Sequence, residues 1–291
     1  MKAAACSFAL FLWALLISGS AFAQAPFYTD DTDTTDVGTL HIEAFDEIDG
    51  LQSMQYPDLR QNTANLKVNF GLPYGLELDL DAPYLIIDRA GGSRSSRGLG
   101  DTNMGVKWHI RDGSDQTFSP AFAVSFYTEF PTGNVSQELG SGVTDYWLNF
   151  IMQEPLSKAT RFNVNLGILF AGNTSTGVVG IETKRGHVYT GGVSVVHDFS
   201  SKLSIGTEIY GGVADSNGLD RTQLQAMIGA QYAVSEHASI YAGIVAGKYT
   251  ASPRLGGQIG FAVDFPNFFP TSKRPERASL KSPTERPSFH L

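Results

Sequence analysis

The chain has 291 residues, a formal net charge of −8, 31 glycines and one cysteine. Lys2 and a stretch after Phe265, where five basic residues meet only Glu276 and Glu285, concentrate positive charge at the ends. The body between them is therefore more acidic than the whole and unsuited to nucleic acid. After position 23 no segment approaches the ~18 uninterrupted apolar residues of a membrane helix, although a membrane β-barrel hides its apolar surface in alternate positions.

Residues 1–23 read as a signal peptide: Lys2, an apolar run from Phe8 to Ile17, and the small-residue pattern Ala21-Phe22-Ala23, with cutting before Gln24. Cys6 leaves with it, so the mature chain is expected to carry neither a disulfide nor a lipid anchor at the cleavage point. A polar lead-in follows over 24–37, in which Ala25-Pro26-Phe27-Tyr28 runs into Thr29-Asp30-Asp31-Thr32-Asp33 and Asp36 without a strand period. An EF-hand loop starting at Asp31 would need glycine where Asp36 stands and glutamate where Ile42 stands, so no metal is expected. A periplasmic segment folded into a lumen as a plug fits better.

From Leu40 to Phe265 apolar and polar residues alternate, as in Leu66, Val68 and Phe70 against Lys67 and Asn69, and a strand sends those two sets to opposite faces. The pattern predicts twelve strands, near 38–47, 60–71, 75–87, 99–111, 118–130, 143–154, 160–170, 186–198, 203–214, 220–233, 238–248 and 254–265. Short gaps at Pro73-Tyr74, Pro155 to Lys158, Ser200 to Lys202 and Ser235-Glu236 contrast with longer ones at Asp88 to Gly98, Pro131 to Gly142 and Gly172 to Arg185. The expected fold is all-β, a closed antiparallel transmembrane β-barrel of about 12 strands over 38–265, with both termini periplasmic. In the last strand Gln258, Gly260, Val263 and Phe265 resemble the C-terminal signal read by the barrel assembly machinery. Beyond it, 266–291 is proline-rich and polar and is expected to be a disordered periplasmic tail.

In the fourth strand Thr102, Met104, Val106, Trp108 and Ile110 make an apolar face, which turns Asp101, Asn103, Lys107, His109 and Arg111 inward. Glu77, Asp79 and Asp81 face inward on the third strand and Glu129 on the fifth, so a basic row is expected between acidic ones. Lys67, Arg161 and Glu208 are further lumen-lining candidates, with His41, Glu43, Asp145, Asn149, Asn163, Asn165, Gln223, Gln225 and Gln231. Large apolar or aromatic inward residues are few, namely Phe45, Tyr127, Trp147 and Tyr210. Inward acids and bases come close to balancing, which predicts little charge selectivity. Aromatics near strand ends, among them Tyr84, Tyr146 and Phe170, suit interfacial girdles.

Gly98-Leu99-Gly100-Asp101 with Gly105 and Lys107, Phe130-Pro131-Thr132-Gly133, and the lead-in's Pro26-Phe27 and Thr29-Asp30-Asp31 resemble the outer-membrane family named for the meta-pathway of phenol degradation, over about Pro26 to Phe265. The resemblance implies a membrane barrel that admits small hydrophobic or aromatic compounds. The tail after Phe265 departs from the usual ending. The expected function is a porin-like passive channel for small organic solutes in a Gram-negative outer membrane, in contact with its lipid and without a cofactor. The alternatives are a sealed barrel that contacts cell wall or a partner, and a lipid-modifying enzyme. Ser216-Asn217-Gly218 echoes the serine motif of outer-membrane phospholipase A, but the histidine required two residues earlier is Ala214, so no catalytic residue is expected.

Overall fold

The computed structural model describes residues 25–91, 94–114, 118–171, 186–214 and 222–269. The signal peptide, most of the tail, the 172–185 loop and Ser216 lie outside the described residues. The strands are β1 (Leu40–Gly50), β2 (Asp58–Leu72), β3 (Leu76–Arg89), β4 (Ser96–Leu99), β5 (Thr102–Arg111), β6 (Ala121–Phe130), β7 (Asp145–Ser157), β8 (Thr160–Ala171), β9 (Gly186–Asp198), β10 (Leu203–Ala214), β11 (Gln223–Ser235), β12 (Ala238–Gly247) and β13 (Leu255–Phe265). Each pairs antiparallel with its neighbours, and β1 closes on β13 from Leu40↔Phe265 to Gly50↔Leu255. Both β4 and β5 pair with β3, so they form one interrupted stave in a closed barrel of twelve.

The interruption has a local cause. Pro83 of β3 has no N–H to give and lies between the two paired stretches. The chain opposite turns aside at Gly100, whose N–H donates to the Pro83 carbonyl at 2.9 Å. Pro155 behaves differently from the turn role expected of it, because β7 continues through it to Ser157. There β6 has already ended, at Ala121 opposite Gln153, so the proline sits where the strand has lost one neighbour.

Alternation decides which surface faces what. Leu66, Ile228, Ile244 and Ile259 are 47%, 55%, 60% and 65% exposed, while Asp79, Lys107 and Glu208 are 6%, 3% and 2% exposed. In water that distribution would be inverted; around a barrel it clothes the outside in hydrocarbon and turns charge inward. The ends of β1 and β13 pair with each other, so both ends of the barrel segment emerge on one side, together with the tight connections between β2 and β3, β7 and β8, and β11 and β12.

One expected inward residue falls outside. The β5–β6 register slips between His109 and Arg111, so Arg111 lies opposite Phe122, with its guanidinium 5.8 Å from that ring. A bulge moves every residue beyond it to the other face, and Arg111 is exposed at the rim.

The outward assignment predicts a one-sided mutational cost. Ile228→Lys, mid-strand on the outer face of β11, is expected to destabilise the barrel by about 2–4 kcal/mol in bilayers, whereas Gln231→Lys on the inner face of the same strand has little effect. Urea-dependent folding into lipid vesicles measures both.

Candidate functional site

The barrel encloses a cavity of about 680 Å³. Its lining includes Pro83, Leu85 and Leu139 toward the long-loop end and Glu236, His237 and Asp264 toward the tight-turn end. The lead-in lies inside it, with Ala25 to Asp30 and Asp33 to Asp36 in the lining.

The wall is shaped to receive that segment. Gly206, Gly229 and Gly243 are consecutive partners across β10, β11 and β12, and all three point inward. A Cβ on Gly206 would come 2.8 Å from the Phe27 ring, and one on Gly243 would come 3.1 Å from Pro26; Gly229 is tighter still against Pro26. The three glycines form a trough that Pro26-Phe27 fills. Sequence reading missed them; the available signal was glycine recurring at inward positions of consecutive strands, where it marks a close backbone approach.

From the trough the lead-in crosses to the opposite wall, tied at nearly every residue. Tyr28 stacks on Tyr210, with ring centroids 5.9 Å apart, and donates to Glu47. The Thr29 N–H donates to Glu208. Asn165 binds Asp30 through both amide atoms, accepting from its N–H at 2.6 Å and donating to its carbonyl at 2.9 Å. Lys107 Nζ reaches Asp30 Oδ1 at 2.9 Å and Asp31 Oδ1 at 3.5 Å. His109 Nδ1 donates to the Thr32 carbonyl at 2.6 Å, and the Thr35 N–H donates to Glu77 at 2.5 Å. Burial raises the Asp31 carboxyl to about 7 against the pull of Lys107, which lies closer to Asp30.

Of the expected lumen residues, Lys67, Glu77, Asp79, Asp81, Lys107 and Glu129 line the cavity. His109 and Glu208 sit against the lead-in. Arg161 is at the tight-turn end, paired with Asp198 at 2.9 Å, and Arg111 is outside. The expected charge ladder along the wall is replaced. Glu77 and Lys107 are register partners, yet Lys107 turns to the lead-in's aspartates and Glu77 to a lead-in N–H.

The expectation of balanced charge is also overturned. The lining holds Lys67 and Lys107 against fourteen carboxylates, among them Asp30, Asp33 and Asp36 of the lead-in and Glu43, Glu47, Asp79, Asp81, Glu129 and Asp145 of the wall. Two of the expected bases lie elsewhere, and the lead-in adds acids. Nor is apolar surface as scarce as expected. Leu169, Val188 and Ala214 form a buried cluster with Trp147 packed on it, continuous through register pairs across β7 to β10.

At the long-loop mouth two segments that look like separate turns prove to be one fastening. Buried Asp101 accepts the Gly133 N–H at 2.8 Å and the Ser141 N–H at 2.6 Å. Thr132 Oγ1 donates to the Gly100 carbonyl at 2.8 Å and accepts the Thr102 N–H at 3.0 Å. Gly140 lies so close to the Asp101 carboxylate, and Gly133 to the Leu139 carbonyl, that a Cβ on either has no room. The fastening turns the 131–144 connection inward and buries Leu139 in the mouth. Arg89 adds a tie, bridging Asp58 at 2.7 Å and Glu138 of that connection.

Each hydrogen bond to a carboxylate contributes about 1.5–3 kcal/mol, so Asp101→Ala is expected to release the connection while the barrel stays closed. Limited proteolysis of the folded protein should then cut within 131–144 at least several times faster than in the wild type, with heat-modifiable migration unchanged.

Solved structures share this architecture. An outer membrane channel from Pseudomonas putida F1 is similar at a TM-score of 0.62 and 12% identity, over 81% of this chain and 98% of that one. The NanC porin is similar at 0.50 and 13% identity, over 77% and 98% of the two chains, and the KdgM porin at 0.50 and 11%, over 77% and 99%. Identities this low establish the fold, a barrel of the outer-membrane channel type. No curated protein matches the chain. A family model matches residues 21–265, the barrel together with the segment packed inside it, and the chain belongs to that family, described as "Putative MetA-pathway of phenol degradation".

Proposed function

We propose that the protein is a passive channel of a bacterial outer membrane, reached after signal-peptide cleavage, with both termini in the periplasm. Small organic solutes, aromatic ones among them, pass by partition through the lumen without energy coupling. The observation that carries this reading is the cavity lined by residues from both ends of the barrel, in which many acidic side chains share the wall with apolar surface such as that around Trp147 and Leu169. The family description's reference to phenol degradation is in keeping with aromatic cargo, and the apolar cluster gives such a ring a surface to rest on.

A second reading rests on a specific observation as well. The lead-in is tied to β5, β8 and β10 across the lumen, so the barrel could be held shut until that segment moves. Lys107 distinguishes the two. Replacing it by glutamate sets a third negative charge against Asp30 and Asp31 and should expel the segment. In liposome swelling with small neutral solutes, the wild type is expected to exceed empty vesicles and Lys107→Glu to exceed the wild type severalfold. Swelling by Lys107→Glu alone would favour the plugged barrel, and swelling by neither would defeat the channel.

A further inference from the structure

We infer that the outer face of β1 and β2 is a binding site for a phosphorylated glycolipid of the outer leaflet, with Arg60 and Arg254 taking a phosphate, Asp46 an amide or hydroxyl at the head of the acyl chains, and a furrow of alanines one chain. The inference goes beyond the channel reading and takes from it only the outer membrane and the periplasmic side of the tight turns.

The register sets the geometry. Gly50 pairs with Leu255 on one side and Arg60 on the other, and it points outward, since Asp49 before it is buried and Ile48 before that is exposed. No side chain fills that position, and Arg254 lays its guanidinium over it: Nη2 lies 3.9 Å from where a Cβ on Gly50 would stand. Arg254 thus reaches the strand next to Arg60, and adjacent strands run about 4.8 Å apart. Arg97 adds a third exposed cation two strands further on and one outward rung lower, opposite Ile86. Asp88, opposite Arg60, is the acid of this row and accepts the Ser95 hydroxyl at 3.3 Å. Among the described residues none of the three arginines forms an ion pair. Three guanidinium groups against one carboxylate leave the outside of the long-loop rim positive, and guanidinium is suited to bidentate hold on a phosphate.

A second observation lies below, about 13 Å along β1. Asp46 faces outward between Ile259 and Ala64 in the register, at the level where the outer wall meets hydrocarbon, and accepts Asn62 Nδ2 at 2.8 Å. An ionisable group there is costly, and a plain hydrocarbon chain brings it no donor. A lipid whose chains begin at amide N–H or hydroxyl groups does bring one, whereas the chain-head esters of a glycerophospholipid offer only acceptors. Asp46 also opens onto a groove of about 790 Å³ in the outer wall. Ala44, Ala64, Ala82 and Ala242, on two successive outward rungs, form its floor, and Leu66 and Phe261 rise beside them. Cations at the rim, an acceptor beneath them and an apolar furrow at its foot follow the order of groups down an amide-linked, phosphorylated glycolipid: phosphate, chain head, chain.

The full mature chain, folded in detergent, can be titrated with bisphosphoryl lipid A and with phosphatidylglycerol, and the lipid-bound fraction counted by native mass spectrometry. One lipid A per barrel is expected, held about tenfold more tightly than phosphatidylglycerol and about tenfold more tightly than by the double variant Arg60→Gln/Arg254→Gln, the loss of a charge-assisted contact. Asp46→Leu should weaken lipid A but not phosphatidylglycerol. Ala64→Trp, which fills the groove, should weaken lipid A severalfold, and Ala226→Trp, exposed on β11 outside the groove, should not. Equal binding of the two lipids, or unchanged lipid A binding in the double variant, overturns the inference. Should the double variant lose heat-modifiable migration, Asp46→Leu decides in its place, and unchanged lipid A affinity there counts equally against the site. A lipid-free dimer that Ala64→Trp converts to monomer makes this face a contact between copies and overturns the inference too. Orientation is tested apart, by labelling Ser95→Cys on intact cells with a membrane-impermeant maleimide. Labelling without lipid A binding overturns the site and leaves the orientation standing; no labelling overturns both the orientation and an outer-leaflet ligand.

Discussion

Lipid offers no partner to a backbone N–H or carbonyl, and that constraint organises everything else in this molecule. An open edge at membrane depth would strand a row of polar groups at several kcal/mol each, so the sheet has to meet itself, as it does where β1 pairs with β13 along their full length. Closure makes the two faces of every strand inequivalent. Twelve staves also enclose more space than wall side chains alone can fill, since about eight are enough to give a packed interior. The remaining volume is divided between a folded-in segment and a cavity, and the distribution of glycine and charge along the inner wall decides which part of the lumen holds which.

The lead-in occupies the side where the wall is thin. Gly206, Gly229 and Gly243 remove three side chains from one rung, and the proline and phenylalanine that enter that gap have little conformational freedom of their own to lose. On the other side the fit is electrostatic. Lys107 is almost fully buried, where an unpaired ammonium would cost several kcal/mol; the half-buried Asp30 supplies the compensation, and Lys107 in turn makes the buried Asp31 tolerable. Each explains the other, so apolar packing at one end and an ion pair at the other hold a segment that has no regular secondary structure.

Legibility in the sequence followed range. Strand phase was readable because alternation is local: Leu66 against Lys67, or Leu78 against Asp79, needs only two neighbours to interpret. Arg111 was misplaced because a one-residue bulge leaves composition untouched and reverses the face. The lead-in's partners lie 77, 135 and 179 residues away in the chain, at Lys107, Asn165 and Glu208, and no local pattern links them. Alternation alone would join Lys107 to Glu77 across the β3–β5 ladder, a pairing whose backbone register is indeed present. The lead-in takes both groups for itself, so the ladder describes the partners they would turn to in its absence.

The two carboxylates near the mouth show why composition alone misjudged the lumen. Asp101 and Glu129 are both inward acids of neighbouring strands, and a count treats them alike. Asp101 faces two backbone N–H groups from one connection, which neutralise its field at short range and make it a structural tie. Glu129 stands between Asn103 and Asp145 in the register and lines the cavity, while Asp81, beyond Asn103, lies opposite Lys67. Charge that is answered by oriented dipoles shapes the mouth, and charge that is not answered adds to the negative potential of the lumen. The same reasoning separates Glu77, met by a lead-in N–H, from Asp79, whose second oxygen has no partner. Which inward acids the fold compensates is therefore defined by long-range contacts rather than by the number of acids in the strands.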